Sequence, residues 1–414
     1  MDKAMDNIQQ EVDRLYKSHF GKMVSSLLYF SQDIDLESAE DLVQDSFSAA
    51  LVSWRKEGVP SNPAGWIFTV CRNKALNKIK ESKRFRNLFQ EEAASPADPA
   101  ISAKALDDYQ LRLLFACAHP DLSPKVQVVI TLKYVINLKV EAIAKILAMT
   151  VDGVDKLLIR ARQKIKEEKI LFEEADTNAL RTRLAVVHKI IYLIFNEGYK
   201  TSWGKELIRE ELCEEALILD RTLLNSKIGN QETAALYALM LFNAARFKAR
   251  FDSSGELLDL EEQDRSLWNG GLIRLACHYL EQSRGGPASS YHYEAAIAYL
   301  HCNAKSFAAT DWLAITRLYG QLLQLHPNPF VELNYAIALY YGGQKAPAFE
   351  MLLRLQQHSF LSQYYLLSAA LGKLYFLEGD LPAAKRHWEK TLRQTNSPAE
   401  KAFIQKMIDK ATHS

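Results

Sequence analysis

Residues 138–166 read L-K-V-E-A-I-A-K-I-L-A-M-T-V-D-G-V-D-K-L-L-I-R-A-R-Q-K-I-K, two short helical patterns parted by a tight break. Val140, Ile143 and Leu147 recur at helical spacing in the first, and Val154, Leu157, Leu158, Ala161 and Ile165 share one stripe in the second. Thr150 is placed to cap the second helix, its hydroxyl meeting amides that otherwise lack partners. Opposite the apolar stripe lie Asp152, Lys156, Ile159 and Gln163, with Arg160 at the flank. Two short helices with a basic tail on the second make a helix-turn-helix candidate, and that polar face is the one offered to a DNA groove. An ordinary amphipathic hairpin is the competing reading. Asp152 and Asp155 suit a helix N-terminus but repel phosphate.

Working outward, long helical periodicities run almost from end to end of the 414 residues, strand signals are scarce, and 48% of residues are hydrophobic. The fold class expected is all-α, in two or three domains. A net charge of +1 excludes a uniformly basic coat but leaves room for a local basic patch. The five cysteines are scattered and unpaired in spacing, so neither a disulfide framework nor a zinc site is expected, and a reducing cytoplasm fits. Cys117 and His119 lack the second pair that a metal site needs, and no cofactor is expected. The polar N-terminus lacks the apolar core of a signal peptide. No apolar run approaches the roughly 20 residues of a membrane span, so no membrane contact is expected.

Upstream, Val12, Leu15, Tyr16, Phe20, Val24, Leu27 and Leu28 lay out a first helix. Asp33, Asp35, Glu37, Glu40, Asp41 and Asp45 follow with no Lys or Arg among them, opening a helix whose buried stripe is Leu42, Val43, Phe47, Ala50 and Trp54. Its outer face is expected to be negative. Gly58, Pro60, Pro63 and Gly65 break the chain into a loop. A helix of opposite character begins at Trp66, where Arg72, Lys74, Lys78, Lys80, Lys83, Arg84 and Arg86 stand against the single acid Glu81. Cations beside aromatic rings suit single-stranded nucleic acid, although Trp66 itself reads better as core. Residues 87–105, with two prolines and no periodicity, form a linker.

An acidic-faced helix, a Pro/Gly loop, an aromatic-basic helix, a linker and a helix-turn-helix, in that order, resemble an extracytoplasmic-function sigma factor of bacterial RNA polymerase. The resemblance rests on A-E-D-L-V-Q-D-S-F from Ala39, P-A-G-W-I-F-T-V-C-R-N-K-A from Pro63, and E-A-I-A-K-I-L with L-L-I-R-A-R-Q-K-I between Glu141 and Ile165. It implies region two over 1–86, a linker over 87–105, region four over 106–172 and a helical extension over 173–414. It also implies that Glu40, Asp41, Gln44 and Asp45 dock on the β′ clamp helices of core RNA polymerase, with the β subunit a further partner. Lys56, Ser61, Asn62, Arg72, Asn73, Asn77 and Lys80 would hold unpaired bases of the −10 promoter element. Val151, Asp152, Asp155, Lys156 and Arg160 would meet the −35 element as duplex. Asn77 and Lys80 stand where the family often has Asp and Arg, a change expected to alter base preference rather than abolish binding.

The extension resembles that of one sigma subgroup through R-L-A-V-V-H-K-I-I-Y-L-I-F-N-E-G-Y from Arg183 and L-E-E-Q-D-R-S-L-W-N from Leu260. Leu371, Gly372, Tyr375, Gly379, Ala384 and Trp388 resemble a tetratricopeptide-type repeat, with a looser copy at Asn334, Ala336, Gly343 and Ala348. Such repeats would form an α-solenoid that takes a protein or peptide segment. The polar motif Glu261–Arg265 reads either as a ligand site or as a helix junction. The expected function is promoter recognition, DNA melting and transcription initiation, with no chemistry of the chain's own and a regulatory C-terminal part. The alternative is a stand-alone helix-turn-helix regulator with a sensor domain, which leaves the acidic and aromatic-basic helices unexplained.

Overall fold

The turn chemistry around residue 60 shows how local sequence sets the helices. The carboxylate of Asp35 accepts from the Ser38 amide at 2.9 Å and starts α2 (Leu36–Glu57), which Gly58 ends at φ +83°. Pro63 opens α3 (Pro63–Arg86), with Asn62 Oδ1 accepting from the Gly65 amide at 3.0 Å. The computed structural model describes residues 2–31, 33–86, 103–168, 170, 176–200, 208–253 and 255–413. These form eighteen α-helices, with one isolated bridge between Phe251 and Leu257 and no strand among the described residues. The all-α class holds. Most of the expected linker, and the side chains of residues 81–86, lie outside the described residues.

The chain divides into two compact units, 1–229 and 230–414. In the first, α1 (Asp2–Phe30) packs on α2 and on α4 (Ala103–Cys117). Phe20, Val24, Val43, Phe47 and Trp54 are buried there. Then follow α5 (Pro124–Ile130), a π-helical turn at Thr131–Val135, α6 (Val140–Ile146) and α7 (Val151–Glu167). Gly21 allows α1 to approach the π turn closely: a Cβ there would lie 2.3 Å from the Val135 carbonyl oxygen. The first two helices of the extension, α8 (Thr177–Tyr199) and α9 (Glu210–Leu224), also belong to this unit. They pack against α4, where Arg183 donates to the Phe115 carbonyl at 3.2 Å and Gln110 to Glu215 at 3.3 Å.

Two details of this unit give tests of stability. Ala148, in the break between α6 and α7, sits at φ +49°, a left-handed conformation that costs a residue with a Cβ about 1 kcal/mol. Ala148→Gly should raise the unfolding free energy by up to about 0.5 kcal/mol in denaturant titration, because relief of that strain slightly exceeds the entropy glycine adds to the unfolded chain. Asp220 on α9 is fully buried, and neither carboxylate oxygen has a hydrogen-bond partner among the described residues. Burial pushes its pKa well above the usual carboxylate range. The folded chain therefore holds a proton that the unfolded chain releases near pH 4. The resulting stability is full below that pH and is lost as pH rises toward the folded pKa. Thermal melts should show the first unit more stable at pH 5 than at pH 7, with a smaller difference in Asp220→Asn.

The second unit runs from α10 (Gln231–Ala244) and α11 (Gly270–Gln282) through α12 (Ser290–Asn303) and α13 (Trp312–Leu325) to two repeated hairpins. These are α14 (Pro329–Tyr341) with α15 (Lys345–Leu355), and α16 (Tyr365–Leu377) with α17 (Leu381–Gln394); α18 (Pro398–His413) closes the unit. Ala336, Gly343, Ala348 and Leu352 recur at a constant offset as Gly372, Gly379, Ala384 and Trp388. Gly343 and Gly379 end their helices at φ +86° and +82°, and the other six positions are buried. A Cβ at Gly372 would lie 2.4 Å from Trp388 Nε1, so the small residue is what lets the tryptophan seat between α16 and α17.

The motif Glu261–Arg265 is largely a junction. The Arg265 guanidinium lies 4.5 Å from the Trp268 ring centroid and donates to the His301 and Ala304 carbonyls at the end of α12. Asp264 is exposed and caps the short 3-10 turn Arg265–Leu267.

Candidate polymerase and promoter interface

On α2, Asp41, Gln44 and Asp45 are exposed. Glu40 is not: at 7% exposure it faces inward. Its carboxylate accepts from Lys133 Nζ at 2.7 Å and from Arg162 Nη2 at 3.2 Å. Arg162 Nε also donates to the Tyr134 hydroxyl at 2.6 Å, and burial pushes that phenol up to about 12, so it stays protonated. The expectation of Glu40 on the outer negative face is thus corrected. Position 40 falls on the stripe of Leu36, Val43, Phe47, Ala50 and Trp54, and the carboxylate enters the interior because two cations meet it there.

Those cations come from the helix-turn-helix half of the unit. The π turn carries Lys133 and Tyr134, and α7 carries Arg162, so one carboxylate joins the acidic helix to both. Sequence reading passed over all three residues. A signal was present: Arg162 is one turn beyond Leu158, on the edge of the buried stripe, whereas Arg160 points to the other side.

On α3 and the loop before it, Lys56, Ser61, Asn62, Asn73, Asn77 and Lys80 are exposed, and Arg72 is half-buried. The Asn62 side-chain oxygen is already spent on the helix cap. Arg72 lies 5.4 Å from the Phe30 ring centroid. Lys78 donates to Ser38 at 2.9 Å and Lys74 approaches Asp45 at 3.7 Å, so some cations of this helix bridge back to α2. Trp66 is half-buried and meets the fully buried Trp54 edge-on at 5.7 Å. On α7, Val151, Asp152, Asp155, Lys156, Ile159 and Arg160 are all exposed, and Thr150 accepts from the Gly153 amide at 3.1 Å. Lys156 and Asp152 pair with each other at 2.7 Å, which mutes both charges on that face.

Residues 15–85 match sigma-70 region 2, residues 112–165 match sigma-70 region 4, and residues 183–284 match a family of unknown function, DUF6596. The two sigma regions with the helical remainder define a sigma factor of the extracytoplasmic-function type that carries a C-terminal extension. An uncharacterized protein of Rhizobium meliloti (strain 1021) is 34% identical over 397 residues, covering 93% of this chain and 92% of the relative. The chain belongs to the same family as that protein. Among the described residues, no helix is long and apolar enough to cross a membrane.

Proposed function

We propose that region two grips the β′ clamp helices of core polymerase through Asp41, Gln44 and Asp45, and holds the unpaired −10 strand along α3. Lys56, Ser61, Asn73, Asn77, Lys80 and Arg72 carry the strand contacts, while Asn62 acts through the cap that orients the helix. The observation carrying this reading is the opposed polarity of α2 and α3. The exposed acids Asp41 and Asp45 sit on one helix and Arg72, Lys78 and Lys80 on its neighbour, so protein and nucleic acid can be held at once. Region four then meets the −35 duplex through Val151, Lys156 and Arg160 at the start of α7, with Asp152 and Asp155 limiting which phosphates and bases it accepts.

Arg72→Ala with Lys80→Ala removes two cations beside the strand and should lower promoter opening by about tenfold to a hundredfold. Permanganate footprinting of the melted region checks this; unchanged opening would remove α3 from the strand path.

The closed contact of Glu40 with Lys133 and Arg162 belongs to a resting form. Elements centred at −35 and −10 lie about 25 base pairs apart, roughly 85 Å along duplex DNA. Helix α3 packs on α2, and Arg162 of α7 reaches Glu40 of α2 at 3.2 Å, so in this form α3 and α7 cannot lie that far apart. Regions two and four therefore separate when both elements are bound. The repeated hairpins of the second unit support a tetratricopeptide-like extension, whose role in this scheme is regulatory.

A further inference from the structure

We propose that the second unit holds a binding site for a small apolar molecule bearing one positive charge, an aryl- or alkylammonium or guanidinium compound. A cavity of about 380 Å³ lies between the non-helical segment at Asp259–Glu261 and the helices of the repeats. That is within the range of small-molecule sites. One wall is aromatic: Trp312 stacks on Tyr341 at 4.7 Å, and Phe307 meets both edge-on at 5.1 and 5.0 Å. Ile337, Ala370 and Met407 continue the lining.

The charge of the lining selects the ligand. Asp259 and Glu261 share one cation, Lys373, at 3.4 and 3.0 Å. Burial works against the Lys373 ammonium, yet the two carboxylates hold its pKa above the ordinary value, so it is fully charged. His301, whose Nδ1 is buried without a hydrogen-bond partner among the described residues, is the remaining lining group that could carry charge near neutrality. Burial, with Arg246 and Arg265 nearby, pushes it down to about 4 and leaves it neutral. Among the lining groups two anions stand against one cation, with Arg246 and Arg265 outside the lining on the His301 side. A ligand cation completes the balance and can lie against the aromatic faces.

Two exposed ion pairs tether the wall bearing the carboxylates. Glu256 meets Lys406 at 3.3 Å and Glu262 meets Lys410 at 3.1 Å, so α18 pins the segment on both sides of Asp259 and Glu261. The carboxylates are thus presented by a tethered non-helical segment, which lowers the ordering cost of binding. The same anchoring couples ligand occupancy to how the segment seats on α16 and α18.

Isothermal titration of the full chain with tryptamine, tryptophol and indole-3-propionate tests the site. These probes share an apolar body and carry a positive, a neutral and a negative end. Tryptamine should bind at least tenfold more tightly than tryptophol, with the acid weakest. Asp259→Asn with Glu261→Gln leaves Lys373 unbalanced and should invert the order toward the acid. Ala370→Trp should fill the cavity and abolish binding of all three, with unchanged circular dichroism showing that the fold is kept. Should the double variant unfold, Lys373→Met gives a second arm: it leaves two unpaired carboxylates and should increase the preference for the amine. Absence of tryptamine binding at millimolar concentration, equal binding of the three probes, or an amine preference that survives Asp259→Asn/Glu261→Gln would overturn the proposal.

Discussion

Lys133→Ala combined with Arg162→Ala should release region four from region two and tighten binding to core polymerase by about tenfold to a hundredfold. Both cations meet Glu40 in a largely buried site. Removing them leaves its carboxylate uncompensated in the closed form, and an uncompensated buried charge costs about 3–5 kcal/mol. Some of that is recovered by water entering as the two halves part, so a shift of about 1.4–2.8 kcal/mol toward the open form is a moderate expectation. If only the open form binds polymerase, its rarity weakens the apparent affinity in proportion, and the variant removes that handicap. Fluorescence transfer between labels on α2 and α7 should fall in the free variant, while titration against core polymerase shows the gain. The pair leaves Asp41, Gln44 and Asp45 untouched, so weaker binding could not be assigned to a lost polymerase contact and would argue that the closed contact is no brake.

The position of a truncation should matter as much as its presence. A chain ending at Gly229 keeps α8 and α9 on α4 and should melt cooperatively by itself. A chain ending near Glu174 strips both helices away. It loses the Arg183 bond to the Phe115 carbonyl and the Gln110 bond to Glu215, and it uncovers the apolar side chains of α4 packed beneath. Each large apolar side chain returned to water costs about 1.5–3 kcal/mol. Loss of roughly 5 kcal/mol or more is comparable with the whole stability of a domain. The shorter chain should therefore aggregate or melt without a cooperative transition in circular dichroism. A sharp transition near that of the longer chain would show α8 and α9 to be dispensable. A transcription assay comparing the full chain with the 1–229 form then reads the effect of the second unit on activity without the confusion of a damaged first unit.

Much of this architecture was legible from residue pattern. The stripes of α2 and α7 appear in the sequence at helical spacing, and Asp35, Gly58, Pro63 and Thr150 mark where helices start and stop. All of these are local effects, decided within a turn or two of chain. What stayed hidden depends on long-range contacts. Glu40 lies on the inward stripe of α2, but its charge pointed outward in the reading until Lys133 and Arg162, 93 and 122 positions along the chain, were seen beside it. The π turn at Thr131–Val135 had no sequence signal, and neither did the close approach of α1 to it at Gly21. The assignment of α8 and α9 to the first unit was also beyond the sequence, since their periodicity says that one face is buried but not against what. In the second unit the small positions of the repeats were readable, whereas the acidic segment at Asp259–Glu261 showed only as Glu261 within a polar motif, without its partners. It has no periodicity, and its partners lie on α16 and α18.

The most direct measurement is multiple-round transcription by purified core polymerase with this chain as the added initiation factor, on templates tiling the genome of its host. Discrete runoff products are expected, starting a fixed distance downstream of shared −35 and −10 sequences and vanishing when the chain is omitted. A chain that binds duplex DNA yet neither associates with core polymerase nor yields any start site would contradict it.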